Sequence, residues 1–366
     1  MSMALAAAQL RVTPTLPPHC DNNRLATVAH ATRDRLEVSG NVRSAMKKYF
    51  ALTGLFVLLI GTAAFAQDRI RIGVPLLPTV SYPVFIAHER GFFEKNGLKA
   101  EIIRINSEPT TYQALISGDI DATSGAPTGL VQANLQGVPV VSLGSWDNLV
   151  SYTIMTKERI DDLSQLRGKK VGINRIGGKS SLILRVMLED AGLNTSKDVT
   201  LLQLGGSQER LSALVRGGID AAPVDFAFEP KMKQLGFHLV TGKKTPFMNG
   251  PITVTAASLK ANRGKWVRFV KAYLEATQYM VTVKDGSVDV LKRILGTDER
   301  ETLDYAYEQM RQRATVDLVA PEAALENLIK MVAYVDKRAP SVDRSKLVDY
   351  SILKELAATR QLPEKK

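Results

Sequence analysis

Cysteine is all but missing from this chain: Cys20 is the only one among 366 residues. A disulfide-stapled scaffold is thereby excluded, because a bridge needs two thiols. Histidine is nearly as scarce, with four copies, and only His88 and His238 fall beyond residue 66. Those two are far apart and have no Asp or Glu at ligand spacing, so neither a metal nor a cofactor is expected. No Gly-x-Ser-x-Gly elbow occurs, which leaves hydrolase chemistry without a nucleophile.

Long apolar runs are lacking as well. The strongest, Phe50 to Ile60, falls well short of the ~20 residues that span a bilayer. It follows Lys47-Lys48 and precedes Ala64-Phe65-Ala66, the tripartite form of a secretory signal peptide over residues 46–66, cleaved after Ala66. Such signals stand at the start of a chain, so Met46 is read as the true start and residues 1–45, polar and aperiodic, as a misassigned or disordered leader. Loss of residues 1–66 removes Cys20, seven Lys or Arg and three Asp or Glu, and lowers the net charge from +11 to +7. The remainder has no thiol to act as nucleophile, to ligate metal or to carry a lipid anchor. A free periplasmic monomer is expected. Its positive charge is scattered apart from pairs such as Lys169-Lys170 and Lys243-Lys244, so nucleic acid is not an expected partner, whereas small anions are compatible.

What the chain does have is a repeat. Ala114-Leu-Ile-Ser-Gly-Asp-Ile-Asp-Ala122 returns ninety-nine residues later as Ala213-Leu-Val-Arg-Gly-Gly-Ile-Asp-Ala221, with six of nine positions identical. The same offset relates Ile72-Gly73-Val74 to Val171-Gly172-Ile173. Each copy reads as the end of an amphipathic helix, a glycine stop, and a short apolar strand opening into a loop of turn-forming residues. Two matched βαβ-like units imply two similar α/β lobes with a ligand between them. The lobes are expected over 67–148 and 149–246, with 247–366 returning to the first lobe and adding C-terminal helices. Trp146-Asp147-Asn148 is the expected first crossing and Thr245 to Pro251 the return. Trp266, Phe269, Val270, Tyr273 and Leu274 follow a helical stripe; it and the later helices have no counterpart in the repeat and are expected to pack on the first lobe.

Gly177-Gly178-Lys179-Ser180 sits between a strand and a helix. A Walker loop would need glycine at position 173, which is Ile173. The free N–H groups of the Ser180 helix could still hold an anion, or Ser180 could simply cap that helix. Asp225 and Glu229 could act as an acid–base pair, cap a helix at Phe226, or bind a ligand amine or hydroxyl. Trp146, Tyr82 and Phe226 are aromatics in expected cleft loops, open to either a core or a ligand role.

Taken in order, Arg71-Ile-Gly-Val74, Phe85-Ile-Ala-His-Glu-Arg-Gly-Phe-Phe-Glu-Lys-Asn-Gly-Leu98, the first repeat, Leu166-Arg-Gly-Lys-Lys-Val-Gly172 and the second repeat resemble the substrate-binding proteins of nitrate, sulfonate and taurine ABC transporters, the NMT1/THI5-like group. The resemblance covers residues 69–366. It implies a type II periplasmic binding protein fold, two α/β lobes with a hinge and an interlobe cleft, that holds a small organic anion or related solute and delivers it to an inner-membrane ABC permease. The family's loop contacts, carried over, fall at Leu77, Ser81, Tyr82, Ser124, Pro127, Thr128, Gly178, Lys179, Ser180, Asp225 and Phe226. Arg175-Ile-Gly-Gly-Lys-Ser180 departs from the Gly-Ser or Gly-Thr form common at that place. Two other classes compete: an enzyme of thiamine-pyrimidine synthesis on the same fold, and the sensory input of a signalling system. The synthases the group also resembles carry a cysteine-rich motif, which is missing from residues 67–366.

Overall fold

A computed structural model describes residues 67–75, 78–105, 107–150, 152–240 and 245–359. The expected leader, the signal segment and Leu77 lie outside the described residues. The strands are β1 (Asp68–Val74), β2 (Leu98–Arg104), β3 (Ala122–Ser124), β4 (Val140–Ser145), β5 (Tyr152–Thr156), β6 (Lys170–Ile173), β7 (Thr200–Gln203), β8 (Ala221–Asp225), β9 (His238–Val240) and β10 (Pro251–Thr255). The helices are α1 (Tyr82–Glu89), α2 (Phe92–Lys95), α3 (Glu108–Ser117), α4 (Pro127–Leu135), α5 (Lys179–Asp190), α6 (Ser207–Val215), α7 (Glu229–Gln234), α8 (Ala256–Ala261), α9 (Arg263–Thr282), α10 (Lys284–Leu295), α11 (Arg300–Arg313), α12 (Glu322–Val332) and α13 (Ser351–Ala358).

The strands form two five-stranded sheets, ordered β2-β1-β3-β10-β4 and β7-β6-β8-β5-β9. The orders correspond place for place. In each, the fourth strand runs antiparallel to its neighbours, and it is the strand that a crossing between the sheets delivers.

The repeat explains itself residue by residue. Leu115 and Leu214 are buried at 2% and 0% exposure, whereas the next residues, Ile116 and Val215, are 44% and 52% exposed, so only the first of each pair packs. Gly118 and Gly217 stop their helices with φ of 82° and 75°, a left-handed conformation that glycine enters without strain. Ile120 and Ile219 then press on the glycine of the leading strand. A Cβ on Gly73 would stand 2.5 Å from Ile120 Cδ1, and one on Gly172 would stand 2.7 Å from Ile219 Cδ1. Asp121 and Asp220 accept from the backbone N–H groups of Arg71 and Lys170, both at 2.8 Å. Ala122 and Ala221 pair with Ile72 and Val171 in the parallel ladders. The motif and the Gly-bearing strand are one packing unit, which is why both recur at the same offset.

Three segments run side by side where the sheets meet. Residues 146–150 and 245–250 cross antiparallel, with Val150 N–H donating to Thr245 O (3.1 Å), Phe247 N–H to Asn148 O (2.9 Å) and Asn249 N–H to Asp147 O (3.0 Å). The end of α11 is the third: Ala314 bridges to Asp147, and Thr315 N–H donates to Trp146 O at 2.6 Å.

The helical stripe of α9 is buried on α1 and α2, with Phe93 stacked on Phe269 at 5.5 Å. The later helices do not confine themselves to the first lobe, as the sequence suggested. α11 packs on α7 and on the 3-10 turn Phe226–Phe228, and α12 packs on both α4 and α5. Lys231 pairs with Glu299 at 3.3 Å along the same seam. Amphipathic helices seek any apolar face within reach, and two lobes offer twice as many.

Candidate functional site

The loops after β1, β3, β6 and β8 converge between the sheets, and a set of polar side chains meets there out of reach of solvent. Thr79, in the 3-10 turn Pro78–Ser81, donates its hydroxyl to Asp225 Oδ2 across the lobes at 2.6 Å. Asp225 Oδ1 also accepts from Ala227 N–H at 3.1 Å, capping the turn it starts. From α5, Lys179 reaches Asn249 Oδ1 on the second crossing at 3.0 Å, and its ammonium lies 5.3 Å from the centroid of the Tyr152 ring. On the first-lobe side, Glu108 accepts from both the N–H and the hydroxyl of Thr128. Thr79, Thr128, Lys179, Asp225 and Asn249 are all less than 9% exposed.

Electrostatics bind this set together. Burial pushes the Glu108 carboxyl above the usual carboxylate range, with Lys179 and Thr128 opposing it. Burial likewise raises Asp225, opposed by Thr79, the Ala227 N–H, Lys179 and Arg313. The ammonium thus stands between two acids that both incline toward the neutral form. Arg210, 1% exposed, fixes the neighbouring loop by donating to Pro223 O (3.0 Å), Gly205 O (2.6 Å) and Ser207 Oγ (3.1 Å).

Behind this set, Arg313 clamps the crossings. Its guanidinium donates to Asp147 Oδ1 and Oδ2 at 3.0 and 3.1 Å, to Leu149 O at 2.6 Å and to Val150 O at 3.1 Å. Asn249 completes the relay by donating to Asp147 Oδ2 at 2.6 Å. One chain of bonds therefore runs from Lys179 through Asn249 and Asp147 to Arg313.

The residues anticipated from sequence divide into two groups. Thr128, Lys179 and Asp225 belong to the buried polar set, and Phe226 adjoins it beneath Arg313, whose guanidinium carbon is 5.6 Å from the ring centroid. Gly178 is the N-cap of α5, where Ser180 had been considered; Ser180 instead donates to Asn174 Oδ1 at 2.8 Å. Pro127 opens α4, whose N-cap is Ala126 without a side-chain bond, and the Glu108 carboxylate accepts from the Thr128 N–H in the first turn instead. Ser81 donates to Ser124 O at 2.8 Å, and Ser124 Oγ lies 3.4 Å from the Tyr273 hydroxyl. Trp146 donates its indole N–H to Val80 O at 2.6 Å, and Tyr82 donates its hydroxyl to Ser287 O. These last four therefore spend their polar atoms inside the first lobe. Asp225 and Glu229 do not form a pair, since Glu229 accepts instead from the hydroxyls of Thr153 and Tyr305. Sequence reasoning missed Thr79, Glu108, Arg210, Asn249 and Arg313, none of which stands in a recognisable motif.

The family model described as "NMT1/THI5 like" matches residues 79–285, more than half of the chain. The chain belongs to the NMT1/THI5-like family. A putative aliphatic sulfonates-binding protein of Bacillus subtilis (strain 168) is 25% identical over 333 residues, covering 85% of this chain and 97% of that protein. A putative thiamine biosynthesis protein of Haemophilus influenzae is 30% identical over 178 residues, but the match covers 48% of this chain and 54% of that protein's length. The crystal structure of the periplasmic aliphatic sulphonate binding protein SsuA from Escherichia coli superposes with a TM-score of 0.62 at 19% identity, covering 76% of this chain and 91% of that one. The fold is accordingly the two-lobed α/β fold of periplasmic binding proteins.

Proposed function

We propose that this protein is the periplasmic solute-binding component of an ABC importer and closes its two lobes on a small organic anion or related solute. The interlobe polar set of Lys179, Asn249, Thr79, Asp225 and Thr128, all buried, with the part-buried Glu108, carries the reading. Both lobes and one crossing contribute to it, and a set shared between lobes makes lobe movement and ligand contact a single event. Lys179 supplies the charge for an anionic group. Burial moves Asp225 and Glu108 toward neutral carboxyls, which repel an anion less and can present hydrogen bonds to it. The full-length similarity to a sulfonate-binding relative supports the same class. The partner that receives the solute is an inner-membrane permease, and export through the signal at residues 46–66 supplies the location.

Similarity to a thiamine biosynthesis protein, confined to about half of each chain, favours a second reading as an enzyme of pyrimidine synthesis. Among the described residues no cysteine is present and the two histidines, His88 and His238, lie outside the buried set. A receptor needs no such groups.

Calorimetric titration of the purified protein with sulfonates, carboxylates, nitrate, aromatic acids and pyrimidines separates the two. One solute should bind without turnover, and Lys179→Met should weaken it about tenfold to a hundredfold, the worth of a charge-assisted hydrogen bond. Chemical conversion of the bound solute, or undiminished binding by the variant, would overturn the proposal.

A further inference from the structure

A second feature lies apart from the polar set. A cavity of about 650 Å³ opens between the second lobe and the helices α11 and α12. That volume falls within the range of about 300–1,000 Å³ typical of small-molecule sites. None of Thr79, Ser124, Thr128, Lys179 or Asp225 lines it. Its apolar wall includes Ile183, Met187, Phe247 and Met331, and its aromatic wall Tyr152, Phe226 and Tyr305.

Glu229 lines this cavity at only 5% exposure. Its two oxygens accept from the hydroxyls of Thr153 and Tyr305, which are neutral donors. Among the described residues no lysine or arginine forms an ion pair with it. A buried carboxylate is normally matched by a positive charge, because hydrogen bonds alone do not repay its desolvation. Burial and the bond to Glu229 both raise the Tyr305 phenol above its usual range, which keeps it a donor.

Three cations lie nearby, and Lys233, one turn beyond Glu229 on α7, holds its ammonium 5.9 Å from the centroid of the Tyr305 ring without forming an ion pair to Glu229. Arg313 lines the cavity but is neutralised by Asp147 at 3.0 Å. Lys330 is exposed at the rim, where Asp161, Asp162 and Asp190 outnumber it. A carboxylate set in an apolar wall is the chemistry that holds an organic ammonium ion, and the rings of Tyr152, Phe226 and Tyr305, each faced by a protein cation, add apolar surface for its body.

We propose that this cavity binds an organic ammonium ion with an apolar body, its positive charge set against Glu229. The site is distinct from the interlobe solute set and does not depend on the solute that the latter takes. 4-Phenylbutylamine is the probe, with 4-phenylbutanol and 4-phenylbutyrate as neutral and anionic matches of the same shape. Calorimetry on the purified protein should show the amine binding about tenfold or more tightly than either match. Glu229→Gln removes the charge, keeps an oxygen acceptor for one of the two hydroxyls and sets its amide NH2 against the other; Met187→Trp fills the cavity. Each should weaken the amine about tenfold or more. Equal binding of amine and alcohol would overturn the proposal, as would full affinity in both cavity variants.

Discussion

Removing the guanidinium at position 313 tests how the two crossings are held. Arg313 makes five bonds to the first crossing, three of them to Asp147, and the side chains of the pair are only 11% and 2% exposed. In Arg313→Met, Asp147 keeps the Asn249 amide at 2.6 Å and the Leu149 N–H at 3.2 Å but faces no positive charge. Stranding a buried carboxylate in this way costs about 3–5 kcal/mol, against about 0–1 kcal/mol for an exposed pair. At roughly 2–4 °C per kcal/mol for a unit of this size, the melting temperature should fall by roughly 6–20 °C. Urea and thermal unfolding followed by circular dichroism would measure it. If the cost comes from the stranded charge, Asp147→Asn in the same chain should return part of the loss, because the amide is neutral and can still bond Asn249. A single variant within about 1 kcal/mol of wild type would refute the burial argument, as would a double variant less stable than the single one.

Three further outcomes follow from the same geometry. Asp225 is raised by burial above its usual 3.8, so it binds its proton more tightly folded than unfolded. The stability it contributes is complete below that usual value and is lost as pH climbs through the raised one. Asp225→Asn, which cannot ionise, should therefore gain on wild type in thermal unfolding as pH rises above about 4, and a flat or falling difference would count against the upward shift. Gly73→Ala and Gly172→Ala should each destabilise by about 1–3 kcal/mol through overpacking against Ile120 and Ile219. Ile120→Val and Ile219→Val, which remove the offending Cδ1 atoms, should restore part of each loss in denaturant melts; absence of rescue in both lobes would show that another contact sets the cost. Asn249→Ala should weaken solute binding along with Lys179→Met but without additivity, since the two residues share one hydrogen bond; independent effects in calorimetry would break the relay apart.

Much of the architecture was legible because the repeat encodes whole packing units. Leucine, glycine, isoleucine and aspartate each have one local duty, and the partner of each lies in a strand that repeats at the same offset. Helix α9 was legible for a similar reason, its stripe being long enough to fix a buried face. Side-chain direction was harder to read. Tyr82 stands at the first position of α1, where a loop aromatic could equally face the cleft, yet its hydroxyl reaches α10 instead. Asn249 and Arg313 lie 102 and 166 residues from the Asp147 they serve. No local periodicity marks such residues, because their role exists only once three distant segments are brought together. The bridging of both lobes by α11 and α12 was hidden likewise: amphipathic pattern tells which face is covered, not by what.

The matching order of the two sheets has a consequence for how the protein is made. The second sheet draws all its strands from residues 152–240, an unbroken stretch. The first cannot be finished from its own stretch, for β10 must slot between β3 and β4, which leave the ribosome more than a hundred residues earlier. Until then β3 and β4 have no shared partner and present open edges of the kind that recruit other chains. Closing so long a loop is slow compared with local pairing. A fragment ending before residue 251 should thus hold a competent second lobe tethered to an incomplete, association-prone first one, and the order of synthesis runs against the order in which the halves can mature.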